Sequence, residues 1–185
     1  SKKILNDLYE SGSLSGNVKQ ITPFFPRAVF SQKIIKKIIK VVGKLFIPPD
    51  PMTACAVSAL RSTETIIQIN DFLTLINVTP RDNAANHIKN PKTFKKMHHG
   101  VKIKYAPIKS MHNFPSTFLD TLLSIEEKFK KDSDFFVNYK NFFFFSYLQL
   151  LECDSNKILQ KELIKQFQKD IKNQSYNLRF FLFLK

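Results

Sequence analysis

The sequence predicts an α+β protein: a small N-terminal α/β domain with a short sheet and two helices, then a small C-terminal helical domain. Three observations lead there. Val41 to Ile47, "VVGKLFI", is rich in β-branched and aromatic residues, which suits a strand. Val101, Ile103 and Tyr105 alternate with Lys102 and Lys104, the pattern of a half-buried strand. In the C-terminal part, Leu163, Phe167 and Ile171 recur every four residues, the spacing of a one-sided helix. The expected divisions are an irregular extension over 1–30, an α+β domain over 31–129 and a helical domain over 130–185. The charged break "KKDSD", Lys130 to Asp134, marks the last boundary.

Taken in order, Ser11 to Pro26 is Ser- and Gly-rich and then Pro-bounded, and reads as irregular. In "SQKIIKKIIK", Ile34, Ile35, Ile38 and Ile39 recur at helical spacing, with Lys33, Lys36, Lys37 and Lys40 opposite. A short basic helix followed by the Val41–Ile47 strand fits this stretch; one continuous helix to Phe46 is the alternative. Pro48, Pro49 and Pro51 then stop any regular element, because each fixes φ and lacks a backbone donor. Ser62 to Asn77 reads as a helix capped by Ser62 or Thr63, with Glu64 in its first turn and a stripe of Ile66, Ile69, Leu73 and Ile76. Arg81 to Gly100 is a long polar, basic loop. Pro115 opens another helix, with Leu119, Leu122, Leu123 and Ile125 available for burial. The last amphipathic helix carries Lys161, Lys165, Lys169 and Lys172 on a face away from its apolar stripe, and the apolar tail Phe180 to Leu184 requires burial.

The charge narrows the partners. Twenty-nine basic residues oppose 15 acidic ones, a net charge of +14. Nearly all the bases are lysine; the arginines are Arg27, Arg61, Arg81 and Arg179. Lysine is a hydrated point charge, suited to phosphate backbones more than to bidentate reading of bases. Folded RNA or an anionic membrane surface fits this balance. Phe, Lys, Asn and Ile are abundant while Gly and Arg are scarce, a bias expected of an AT-rich genome, either organellar or a protist nucleus. Cys55 and Cys153 form no CxxC pair, and two cysteines make no disulfide scaffold in 185 residues, so a reducing compartment is expected. Apolar runs such as Phe142 to Phe145 fall far short of the roughly 20 residues a membrane span needs.

Catalytic arrangements are not apparent. Glycine is too scarce for a phosphate-cradling loop. His87, His98, His99 and His112 form no ligand spacing with the cysteines, and the adjacent pair His98 and His99 diverges in most backbones. Glu126 and Glu127 read as solvated helix residues. Neither an enzyme activity, a metal nor a cofactor is implied. Two basic features stand out instead: the loop from Lys89 to Lys104, with Lys92, Lys95, Lys96, Lys102 and Lys104, and the last helix. There Lys165, Lys169 and Lys172 are followed by Asn173, Gln174, Ser175 and Asn177. Ammonium, amide and hydroxyl groups on one helix face can partner phosphates and 2′-hydroxyls of folded RNA.

The order of the pieces resembles a family. "KLFIP", the small-residue turn "AVSAL", "INDFLTLIN" with Ile69, Phe72 and Asn77, "VKIKY", "PSTFL" and "KDIKNQSYNL" follow one another as in large-subunit ribosomal protein eleven of the bacterial and organellar type. The resemblance covers roughly residues 38 to 182. Ser58 and Arg61 stand where that family has Gly or Pro, as in a divergent organellar member. It implies a two-domain protein at the stalk base of a mitochondrial large ribosomal subunit, in the matrix. Its partners would be ribosomal RNA, neighbouring ribosomal proteins and, transiently, translational GTPases. Pro48, Pro49 and Pro51 would form the track facing factors and rRNA. The competing reading is a peripheral accessory subunit of an organellar membrane complex, contacting its partners through Phe142 to Phe145 and Phe180 to Phe183.

Overall fold

The computed structural model describes residues 1–11, 28–67, 100, 102–109, 113–130, 135–151 and 157–172. Among the described residues the protein is all-helical, and the expected short sheet is not there. The helices are α1 (Lys2–Ser11), α2 (Gln32–Val42), α3 (Pro51–Ser62), α4 (Phe114–Phe129), α5 (Tyr139–Leu151) and α6 (Lys157–Lys172). The α+β expectation is therefore corrected, and each strand fails for a separate reason.

The first strand fails because the helical pattern before it runs on. Ile34, Ile38 and Val42 share one face of α2, and Ile38 and Val42 are buried. Gly43 ends the helix in the left-handed region, at φ 89°, where its N–H reaches the Ile39 carbonyl at 2.9 Å. That conformation costs glycine nothing. So the helix extends past the expected strand start and stops short of Phe46, and Lys44 to Asp50 is irregular.

The second strand fails because its amides are taken by a side chain. The backbone N–H groups of Lys104, Tyr105 and Ala106 all donate to Oδ1 of Asp120 on α4. A buried carboxylate that satisfies consecutive amides replaces a ladder partner. Of the alternating residues Ile103 is buried and Tyr105 half-buried, while Val101 lies outside the described residues; Ala106 and Ile108 beyond them are buried too.

Two further expectations change. Ser62 was expected to cap a helix and instead ends one, with Thr63 to Ile67 irregular beyond it. Residues 68–77 of that expected helix lie outside the described residues, as do 12–27 of the expected extension and the apolar tail Phe180 to Leu184. Residues 2–11 are not irregular: Leu5, Leu8 and Tyr9 of α1 are buried. The Pro-opened helix is present as α4. Asn113 caps it by accepting the Ser116 N–H at 2.9 Å, and Leu119, Leu122 and Ile125 are fully buried.

Helices α3 and α4 form the centre. They pack on each other, α2 packs on both, α1 packs on α3 and α5, and α5 joins α4 to α6. From Thr53 to Leu60 every residue of α3 is buried. Ala54, Ala56 and Ala59 keep that helix thin enough to be surrounded. One cluster of buried side chains runs from Leu5 in α1 to Ile171 in α6 and includes Phe118, Phe142, Phe143 and Phe167.

Neighbouring helices close each other's ends. The Thr121 hydroxyl accepts the Asp50 N–H just before α3, and Lys37 Nζ donates to the Ser62 carbonyl at its far end, at 2.8 Å. The Gln149 side chain of α5 accepts the Phe114 N–H at the start of α4. Gln160 of α6 donates to the last carbonyls of α5, at Leu150 and Leu151. Asn141 of α5 donates to the Glu10 carbonyl near the end of α1. Each bond satisfies a group that a helix cannot satisfy from within.

Candidate nucleic-acid interface

Helix α6 is one-sided. Phe167 and Ile171 are buried, Leu163 and Ile164 are half-buried, and this stripe faces α5. The Phe143 and Tyr147 rings of α5 meet Phe167 at centroid distances of 6.4 and 5.9 Å. With the stripe held inward, about 3.6 residues per turn carry Lys161, Lys165, Lys169 and Lys172 to the other side. All four are exposed, as expected. No carboxylate among the described residues forms an ion pair with Lys161, Lys165 or Lys169. Lysine also suits the last turn, where the helix dipole is negative; Lys169 and Lys172 stand there.

Other expected contacts divide differently. Asn173, Gln174, Ser175 and Asn177 lie outside the described residues, as do Lys92, Lys95 and Lys96 of the basic loop. At the end of that loop Lys102 is exposed and Lys104 is taken up locally. Its ammonium donates to the Tyr105 hydroxyl at 2.7 Å and stands 3.9 Å from the Glu127 carboxylate. Of the proline track, Pro48 and Pro51 are exposed and Pro49 is buried. Pro51 opens α3 behind the cap made by Asp50, whose carboxylate accepts the Thr53 N–H at 3.1 Å and the Thr53 hydroxyl at 2.6 Å. Pro51 thus begins a buried helix, and Pro48 and Pro49 lie in the irregular stretch before it. The Phe142–Phe145 run also divides: Phe142 and Phe143 are core residues, while Phe144 is 54% exposed.

The sequence reading missed a buried polar cluster. Glu126, expected to be solvated, is buried and meets the Arg61 guanidinium at 3.0 Å. Arg61 also lies over the Phe135 and Phe129 rings, at 5.1 and 5.8 Å from their centroids. Tyr9 stacks on Phe135 with ring centroids 5.1 Å apart. Burial, with the nearby Glu126 carboxylate, pushes the Tyr9 phenol far above its ordinary range. The cluster ties α1, α3, α4 and Phe135 together. A signal was present in the chain: Arg61 is a rare arginine among lysines, and arginine suits a stacked, buried ion pair.

A cleft of about 270 Å³ opens beside this cluster, lined by Lys37, Leu60, Arg61, Thr63, Glu64 and Phe135 among others. At its wall Lys37 Nζ donates to the Ser62 carbonyl, while the buried Arg61 Nε and Ser62 Oγ have no hydrogen-bond partner. Cys55 is a free, fully buried thiol whose pKa is raised by burial, which makes it an inert core residue. Cys153 and all four histidines lie outside the described residues. Among the described residues no group of His, Cys, Asp and Glu could hold a metal, and no helix is long and apolar enough to cross a membrane.

Fold and site together define a lysine-rich helical protein with a buried aromatic core. No protein-family model, curated protein or solved structure matches the chain.

Proposed function

We propose that the chain is a structural RNA-binding constituent of a large ribosomal subunit, of mitochondrial type, that positions rRNA and catalyses nothing. The observation that carries this reading is the exposed lysine stripe of α6, held outward by burial of Phe167 and Ile171. Ammonium groups in that row would neutralise phosphates and release their counterions. The net charge of +14 supports it. The order of motifs shared with the ribosomal family adds the stalk-base location and the neighbouring ribosomal proteins. The stretches that stand for strands in that likeness are helical or irregular here, so the reading rests on charge and on α6. Transient translational GTPases would meet the exposed Pro48 and Pro51.

The test is binding of the full chain to a stalk-base rRNA fragment across a salt series. Each phosphate contact contributes a slope of about −0.7 to −0.9 in log K against log salt. Lys165→Gln and Lys169→Gln should each weaken binding and flatten the slope by about one contact. Equal binding at low and high salt would refute the reading. A second reading, an accessory subunit of an organellar membrane complex, draws on the exposure of Phe136 and Phe144. Sedimentation of the native protein after detergent separates the two: with ribosomal particles under the first reading, with a membrane complex under the second.

A further inference from the structure

Helix α2 presents a second basic face, and it is built differently from its surroundings. Ile38 and Val42 are buried and Ile34 and Ile35 are half-buried, which fixes one side of the helix against α3 and α4. At about 3.6 residues per turn, Lys33, Lys36 and Lys40 fall on the opposite side. All three are exposed, and Lys44 follows them just past the helix end, also exposed. The helix contains no acidic residue. Nor does any carboxylate among the described residues pair with these four lysines. Lys37 is the exception among its neighbours, being engaged with the Ser62 carbonyl.

This face is presented rigidly. The Ser31 hydroxyl accepts the Ile34 N–H at one end of α2, and Gly43 closes the other. The apolar stripe of the helix is already occupied by the core. What points away from the core is therefore a row of ammonium groups, with Ile39 and Val41 at its margins. A helix that lies in lipid needs its apolar stripe free for the membrane. An outward row of lysines fits a line of phosphates instead. The packing path from α2 to α6 runs through α4 and α5. The two lysine rows thus stand on helices that hold to different neighbours.

We infer that α2 is a second contact for RNA backbone, and that the protein joins two RNA segments, one on α2 and one on α6. This rests on the reading of α6 as an RNA contact. The kind of partner is the phosphate backbone of structured RNA, read without base specificity.

The experiment mixes the full chain with two populations of a 20-base-pair RNA hairpin, one carrying a fluorescent donor and one an acceptor, at low salt. Energy transfer reports two hairpins in one complex, and sedimentation checks that the complex holds a single chain. The wild type should give transfer. The triple variant Lys33→Gln, Lys36→Gln, Lys40→Gln should lose about tenfold or more of the transfer while still binding one hairpin through α6. Circular dichroism confirms that this surface variant is folded. The matching variant Lys161→Gln, Lys165→Gln, Lys169→Gln should also lose transfer while binding one hairpin through α2. If the α2 variant joins hairpins as well as the wild type, the inference fails and the α6 reading stands. If the α6 variant alone keeps full transfer, the α6 reading fails. If the α2 variant joins hairpins normally but no longer binds phosphatidylserine vesicles, its partner is a membrane and the inference fails.

Discussion

Helix α3 is buried on every side from Thr53 to Leu60, whereas α6 buries one stripe and turns its lysines to water. The two carry different kinds of information. In α6 the boundary between core and solvent runs along the helix, so it is written into the sequence as a period of about 3.6. In α3 no such boundary exists. Its sequence, "PMTACAVSALRS", shows small residues without a stripe, and so reads as a turn. A helix surrounded by others is recognised by its size and its caps, and its polar residues become decisive because they have no water to fall back on.

The largest effect that tests this contrast is at Arg61. Replacing it with Leu leaves Glu126 buried beside Tyr9 without its guanidinium, and should cost about 3–5 kcal/mol in urea unfolding. Adding Glu126→Leu should restore much of that loss, because the uncompensated charge is gone. A single variant as stable as wild type would show that the pair is not held dry.

Next in size is a matched pair of enlargements. Ala56 is fully buried in α3, so Ala56→Leu should overpack the centre and cost about 1–3 kcal/mol. Gln166 on α6 is exposed, and Gln166→Leu should change stability by less than about 0.5 kcal/mol. Equal costs at the two sites would erase the distinction drawn between the helices.

A smaller effect is expected from Asp120. Its burial raises the carboxyl above the ordinary value, outweighing the backbone amides that favour its charged form. The folded chain therefore holds this proton more tightly than the unfolded chain does. The resulting contribution is present in full below the ordinary carboxylate range and is lost as pH rises through the raised value. Asp120→Asn keeps the oxygen acceptor and removes the titration. The stability of the wild type relative to this variant should fall as pH rises across that window, as read by thermal unfolding. A constant difference would mean that the carboxyl is not raised.

The smallest effect is at the surface of α6. Lys165→Gln should leave stability within about 0.5 kcal/mol while weakening RNA binding. A large loss of stability would make that lysine part of the fold and not of an interface.

Legibility followed the same division. The α6 stripe of Leu163, Phe167 and Ile171, the outward lysines and the Pro115-led α4 could all be read from spacing, because each is local and one-sided. The strands at Val41–Ile47 and Val101–Tyr105 were misread for a common reason. β-branched and alternating residues report a half-buried backbone, and they do not say what the backbone bonds to. At the first site Gly43 ended a helix, and at the second Asp120, distant in sequence, took the amides. Glu126 looked solvated beside Glu127 because nothing local announces an arginine sixty-five residues earlier in the chain.

By itself the amino-acid sequence determined the charge, the lysine faces of α2 and α6 and the Pro115-led start of α4. These depend on near neighbours and on the solvent. Tertiary structure alone decided that the regular elements among the described residues are all helices, that α3 sits in the middle, and which helix closes the ends of which. The bonds from Thr121, Lys37, Gln149 and Gln160 join groups that only packing brings within reach. A helix end must find its partner somewhere, but periodicity cannot say on which neighbour.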